Sequence, residues 1–150
     1  MARVLVIDDE EDVLLAVSRR LQREGYDVIP AANSEQGVGK ILQSDAPYDV
    51  ILTDMSMENP ESGLEILQAA FSRDLFAEVI VMTAYGNVAN AVECMRRGAY
   101  DYIEKNKPGV DTYEILAMKV RQALDQRRRD LRTVGTWERA AKAKTKPAPK

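Results

Sequence analysis

The stretch VLVIDDEEDV, residues 4–13, joins a run of aliphatic residues directly to a run of carboxylates. The unbroken aliphatic residues 4–7 predict a strand that is covered on both faces, which is typical of a parallel sheet. Acidic residues are almost never fully buried unless they are paired, so the chain from Asp8 onward leaves the core. These carboxylates either cap a following helix or belong to a site, and the rest of the sequence bears on that choice.

Apolar runs and segments of helical periodicity alternate five times along the chain. This alternation predicts an α/β fold in which five helices cover both faces of one doubly wound, five-stranded parallel sheet. In such a sheet, ligands bind beyond the carboxyl ends of the strands. The predicted strands are residues 3–7, 26–30, 48–52, 78–82 and 100–103.

Glycine stops and polar caps mark the predicted helix boundaries. Gly25 and Gly98 predict the ends of the first and fourth helices. Ser62, with Glu65 three residues later, has the spacing of a capping box for the third helix, and Asp111 predicts the cap of the fifth. The predicted helices are residues 11–24, residues 34–43, a segment opened by Ser62, residues 87–97, and a segment after Asp111 that overruns the domain.

Composition limits the chemistry that the chain can perform. The 150 residues suffice for one domain with a real core, and they include no histidine and one cysteine, Cys94. We interpret Cys94 as a packing residue in a reducing compartment. Without histidine, a metal must be held by oxygen, which favours Mg²⁺, Mn²⁺ or Ca²⁺. No apolar run reaches the roughly 18 residues of a membrane span, so we expect a cytoplasmic protein without a membrane partner.

Charge is distributed unevenly between the two ends of the chain. Residues 127–150 carry nine Lys or Arg against two acids, a net charge of +7, which leaves −10 for residues 1–126. We therefore predict a domain at residues 1–126, followed at 127–150 by a helical extension and a basic, disordered tail. Because Trp137 is the only aromatic residue in this segment, we do not expect it to bind nucleic acid.

Polar side chains follow four of the five predicted strands. Asp8 and Asp9 follow the first strand, Asp54 the third, Thr83 the fourth and Lys105 the fifth. Because parallel strands end at the same edge of a sheet, we expect these side chains to converge. Close carboxylates repel unless cations neutralise them, and Lys105 and a divalent metal can share that role. A carboxylate held in this way can attack a phosphoryl group and become an aspartyl phosphate.

Four motifs, taken together, resemble the receiver domain of two-component response regulators. They are DDE at 8–10, Asp54 at the end of an apolar strand, MTA at 82–84 and GAYDYIEK at 98–105. The resemblance covers roughly residues 2–126. It implies the flavodoxin-like fold of chemotaxis-regulator-like domains, with strand order 2-1-3-4-5. It also implies a switch that a histidine kinase or a phosphotransfer protein phosphorylates in the presence of Mg²⁺, with Mn²⁺ as an alternative.

The resemblance also implies a role for individual residues. By position, Asp54 is the phosphoacceptor and a metal ligand, Asp9 the direct metal ligand, Asp8 a ligand acting through water, the backbone carbonyl of Ser56 a further ligand, Thr83 the switch hydroxyl, Tyr102 the switch aromatic and Lys105 the phosphate-binding lysine.

Two stretches depart from the pattern of the family. Glu58 stands where the family commonly has proline, and the segment from Asp54 to the following glycine is about one residue longer than usual. The lysine is followed by asparagine in KNKP, so Lys107 competes with Lys105 for the phosphate-binding role. The spacing from Gly98 favours Lys105.

Three functions remain open at this stage. The first is the phosphorylation switch, which assists its own phosphorylation and dephosphorylation without turning over a separate substrate. Its output would be a change in the face made by the fourth helix, the fifth strand and the fifth helix, through which a homodimer can form. The second is an aspartyl-phosphate phosphatase or phosphotransferase, although Ser56 stands where such enzymes often carry a second aspartate. The third is a receiver-like binding module that is independent of phosphate.

Overall fold

The computed structural model describes residues 1–145, in which strands and helices alternate strictly. The strands are β1 (Arg3–Ile7), β2 (Asp27–Ala31), β3 (Val50–Asp54), β4 (Glu78–Ala84) and β5 (Asp101–Lys105). The helices are α1 (Glu11–Arg23), α2 (Ser34–Gln43), α3 (Ser62–Arg73), α4 (Val88–Arg96) and α5 (Thr112–Thr145). All neighbouring strands are parallel, in the order β2-β1-β3-β4-β5. The predicted fold class and strand order are confirmed.

The sheet is covered on both faces, as the aliphatic residues 4–7 indicate. On one face Leu5 belongs to a core that includes Ile66 of α3. On the other face Val6 packs in a core that includes Leu21 of α1 and Leu116 of α5. Each of these side chains is fully buried. Adjacent residues of β1 therefore contribute to two different cores, which explains why the strand has no polar alternation.

Three strands begin later than the sequence pattern predicts, because pairing with neighbours sets their ends. β2 is displaced by one residue, since Asp27 lies opposite Arg3 and Ala31 opposite Ile7. β3 and β5 likewise extend to Asp54 and Lys105, beyond the apolar runs that mark them in the sequence.

Two of the predicted helix stops and one of the predicted caps are confirmed. Gly25 and Gly98 follow α1 and α4 with φ angles of 96° and 104°, a conformation that favours glycine. The Asp111 carboxylate accepts hydrogen bonds from the backbone N–H groups that open α5. The predicted cap of α3 is wrong, because Ser62 is the first residue of the helix and its hydroxyl donates to Glu58 instead.

The last helix continues far beyond the sheet. α5 runs unbroken to Thr145, so the predicted helical extension is present, and residues 140–145, for which the composition predicts disorder, are helical. Alanine and lysine are strong helix formers, which accounts for the difference. The rest of the predicted disordered tail, residues 146–150, lies outside the described residues. Within residues 1–145, no helix combines the length and the apolar character needed to cross a membrane.

Arg127 attaches α5 to the end of the sheet where the strands begin. This side chain is buried, and its guanidinium donates to Asp49 at 3.2 Å, to Asp74 at 2.7 Å and to the Phe76 carbonyl at 2.9 Å. Because these partners precede β3 and β4, one guanidinium fixes the helix to two connections of the fold.

We expect Arg127→Met to lower the free energy of unfolding by about 3 kcal/mol, because it leaves the carboxylates of Asp49 and Asp74 without their cation. Arg128→Met is the matched control, since that side chain is 66% exposed and its ion pair with Asp125 is long, at 3.7 Å. Urea unfolding of both variants measures the difference. Equal stability of the two variants would contradict the role of Arg127.

Glu78, at the start of β4, gives the stability a dependence on pH. Burial, followed by the nearby charge of Asp130, raises its pKa from 4.5 to about 7. The folded protein therefore holds this proton more tightly than the unfolded chain, so the stabilisation is complete below the unfolded pKa and is lost as the pH rises through about 7.

We expect Glu78→Gln to raise the free energy of unfolding above this range by about 1 kcal/mol. Urea unfolding across this pH range tests this expectation, and the exposed Glu65→Gln is the control. If the free energy of unfolding depends on pH in the same way in the wild type and in Glu78→Gln, the expectation is refuted.

Candidate functional site

The register of the sheet brings the predicted polar residues to one edge. Ile7 lies opposite Thr53, so Asp8 and Asp54 leave their strands side by side. On the other side of β3, Asp54 lies opposite Met82, and Ala84 lies opposite Lys105. Asp8 is fully buried and Asp54 is only 7% exposed, so both carboxylates sit at the floor of the crevice.

The ammonium of Lys105 holds this crevice together. Its Nζ lies 2.8 Å from Asp8 Oδ2, 3.2 Å from Asp54 Oδ2 and 3.8 Å from Glu10 Oε1. Lys107, the competing candidate in the sequence, is exposed on the following loop. The backbone turns sharply between the two lysines, because Asn106 has a φ of 56°.

The site perturbs the protonation of its own groups. Burial raises the pKa of Asp54 from 3.8 to about 6, and this exceeds the opposing effect of Lys105. The charges of Asp8 and Asp9 raise the pKa of Asp54 further. Burial lowers the pKa of Lys105, but the carboxylates of Asp8 and Asp54 outweigh it and leave this pKa above its usual value. Lys105 therefore stays charged, but its positive charge does not fully compensate the negative charge of Asp54.

Asp8, Glu10 and Asp54 each place one carboxylate oxygen within 4.8 Å of the other two. This set excludes Asp9, which is exposed, so the structure brings two of the predicted acidic ligands together and leaves the third outside. Glu10 is the residue that the sequence analysis missed. The signal lay in the DDE motif: the backbone N–H of Glu10 donates to Asp8 at 2.9 Å, which turns the chain back toward the crevice.

The donor set fits a hard divalent cation. It consists of carboxylate oxygens only, and one lysine opposes three acidic groups, so an excess of negative charge remains. Mg²⁺ and Mn²⁺ prefer oxygen ligands and commonly retain water at their open positions.

Ser56, predicted to contribute its carbonyl, lies in the loop of residues 55–61 between β3 and α3. Its side chain is exposed, and it follows Asp54 by two positions. The loop is anchored by Glu58, whose carboxylate accepts hydrogen bonds from Ser34 and Ser62. The hydrogen bond from the Ser34 hydroxyl is the largest of the effects that lower the pKa of Glu58, so this anchor stays ionised.

The two predicted switch residues lie on neighbouring strands. Thr83 is buried at the end of β4, and its hydroxyl donates to the Asn87 carbonyl at 3.4 Å rather than to Asp54. Tyr102 is half-buried on β5 opposite Val81, so it faces the same side of the sheet as Thr83. The Lys119 ammonium of α5 lies 5.7 Å from the centre of the Tyr102 ring.

Comparison with known proteins identifies a family whose members resemble this chain in sequence. A family model described as "Response regulator receiver domain" matches residues 4–119. A putative response regulator, NtrX-like, from Rickettsia bellii is 38% identical over 103 residues, which is 68% of this chain and 21% of that protein. The chain thus spans about a fifth of the length of the curated relatives that head the comparison.

Two solved structures share both the fold and part of the sequence. A response regulator receiver domain protein from Clostridium thermocellum superposes with a TM-score of 0.76 and 29% identity, covering 85% of this chain and 98% of that one. The response regulator TrrA from Thermotoga maritima, solved in complex with Mg(2+)-BeF, gives a TM-score of 0.68 and 27% identity, covering 83% of this chain and 100% of that one.

We expect Lys105→Met to lower the free energy of unfolding by about 3 kcal/mol in the presence of a chelator, because the fully buried Asp8 loses its cation. Lys107→Met removes the same charge from an exposed position, so its effect should stay within about 0.5 kcal/mol. Denaturant unfolding distinguishes the two. Equal losses would mean that the ion pair of Lys105 does not hold the crevice.

Proposed function

Because the chain belongs to the receiver domain family of response regulators, we propose that it is a phosphorylation-activated switch that accepts a phosphoryl group on Asp54. One observation carries this proposal: the buried Asp54 carboxylate, with its pKa raised to about 6, lies 3.2 Å from the Lys105 ammonium. A carboxylate whose pKa is strongly perturbed by burial and by a specific charged partner, and which lies in a crevice, is a candidate functional residue.

The proposed reaction is an in-line phosphoryl transfer. An oxygen of the Asp54 carboxylate attacks the phosphorus of a phosphohistidine on the partner, a histidine kinase or a phosphotransfer protein. The new O–P bond forms as the N–P bond breaks, and the imidazole of the partner leaves. Lys105, already beside Asp54, neutralises negative charge on the transferred oxygens. The chain assists this transfer and its later hydrolysis, and it turns over no separate substrate.

We propose that a divalent cation, Mg²⁺ or alternatively Mn²⁺, completes the site. Asp8, Glu10 and Asp54 would hold it together with the Ser56 carbonyl, and Asp9, one residue from the cluster, remains a candidate ligand. When bound, the cation supplies Lewis-acid stabilisation of phosphoryl charge. The related TrrA structure, solved with Mg(2+)-BeF, supports this assignment.

The proposed output begins at Thr83. A phosphoryl group on Asp54 offers this hydroxyl a stronger acceptor than the Asn87 carbonyl to which it now donates. Movement of Thr83 frees space on the side of the sheet that Tyr102 faces, so the aromatic ring can turn inward. The face made by α4, β5 and α5 would change as a result. We propose that this face engages the next partner or a second copy of the chain.

The two alternative functions receive less support. A phosphatase or phosphotransferase would gain from a second acid near the acceptor, and the exposed Ser56 occupies the expected position. A module independent of phosphate would not need a half-buried lysine between two buried carboxylates, an arrangement that costs desolvation energy. We further propose that residues 1–126 form the switch and residues 127–150 an extension that Arg127 anchors to the sheet, in a cytoplasmic protein.

Incubation with a small phosphodonor and Mg²⁺ tests the proposal. We expect the intact mass of the wild-type protein to increase by one phosphoryl group, and we expect no increase with a chelator or in Asp54→Asn. Asp45→Asn, an exposed aspartate outside the crevice, is the matched control and should be modified normally. Modification that persists in Asp54→Asn would exclude this acceptor. Sustained release of phosphate from an ester would instead favour the phosphatase.

A further inference from the structure

The loop of residues 55–61 is fixed to the fold at two points, and the first is Met55. The backbone N–H of Met55 donates to the Met82 carbonyl, and its own carbonyl accepts from the Gly63 N–H, both at 2.8 Å. The approach is so close that a Cβ on Gly63 would lie 3.1 Å from the Cα and the carbonyl oxygen of Met55. The residue after Asp54 therefore has little freedom to move.

The second point is the carboxylate of Glu58. It accepts from the Ser34 N–H at 2.9 Å, from the Ser34 hydroxyl at 2.6 Å and from the Ser62 hydroxyl at 3.2 Å. Ser34 and Ser62 are buried, and each is the first residue of its helix, α2 and α3. A carboxylate at two helix N-termini also gains from their positive dipole ends.

Only Ser56 and Met57 lie between these two points. A segment of two residues that is fixed at both ends cannot rotate its peptide groups freely, because each end limits the dihedral angles that close the span. The direction of the Ser56 carbonyl is therefore set in part by a side chain that lies outside the cluster of Asp8, Glu10 and Asp54.

We infer that Glu58 is a positioning residue that sets the affinity of the site for divalent cations by orienting the loop that carries the Ser56 carbonyl. This inference rests on the proposed function, because it assumes that the crevice binds a cation. Glu58 would act through Ser34 and Ser62 and would not touch the cation itself. Changes to such supporting groups typically weaken metal binding by about 10-fold or more.

The experiment measures free Mn²⁺ by electron paramagnetic resonance during titration of the whole chain. We expect the dissociation constant to rise by about 10-fold in Glu58→Ala. Ser34→Ala keeps the backbone N–H bond and should show a smaller rise. The double variant should bind no more weakly than Glu58→Ala, because both changes break the same contact. Glu61→Ala removes an equal charge from the same loop and should bind as the wild type does.

A second measurement separates positioning from loss of structure. The rate of phosphorylation by the small donor should fall in Glu58→Ala at limiting Mg²⁺ and recover at saturating Mg²⁺. A loss that saturating Mg²⁺ does not restore would overturn the inference. Circular dichroism checks that the variants fold, and if Glu58→Ala does not, Glu58→Gln and Ser34→Ala carry the same test.

The possible failures are distinguishable. A wild-type protein that binds neither Mn²⁺ nor a phosphoryl group refutes the proposed function itself. A wild-type protein that does both, with Glu58→Ala binding Mn²⁺ equally well, refutes only the role of Glu58. Equal weakening in Glu61→Ala would show that the effect is one of overall charge and would overturn the inference as well.

Discussion

The contact between the Lys105 ammonium and the carboxylates of Asp8 and Asp54 is the interaction on which the crevice depends. A single cation opposes three acidic groups, and two of these are removed from water. Either carboxylate without Lys105 would be a buried, uncompensated charge, which folded proteins rarely tolerate. The compensation is nevertheless incomplete, since the pKa of Asp54 stays near 6. The crevice is therefore left with an excess of negative charge, which favours the binding of a divalent cation.

The sheet makes this arrangement possible, because it holds charged groups without placing them in its core. Residues 4–7 of β1 and residues 50–52 of β3 are apolar, and the acidic Asp8 and Asp54 stand where the pairing of these strands ends. Gly63 at the start of α3 allows the chain to pass within contact distance of Met55, immediately behind Asp54. The chemistry at the edge thus depends on packing several residues away.

The fold could be predicted from the sequence because each element carries a local signal: aliphatic strands, glycine stops and strict alternation. Features that depend on partners distant in the sequence could not be predicted in this way. The ends of β2 follow its register with β1, and Ser62 does not cap α3 because Glu58 binds its hydroxyl. The convergence of Asp8, Asp54 and Lys105 was predictable from topology, whereas the approach of Glu10 to Asp8 and Asp54 depends on side-chain directions after the strand ends. The helix at residues 140–145 was missed because a repetitive composition conceals a strong local propensity.

The length of α5 gives small rotations a large effect. At 1.5 Å per residue, the 18 residues beyond Arg127 extend about 27 Å from the guanidinium that anchors them. A tilt of about 10° at this anchor would move the far end by roughly 5 Å. The contacts of Arg127 with Asp49 and Asp74 therefore set the direction of the helix, and any change in those contacts would be amplified along its length.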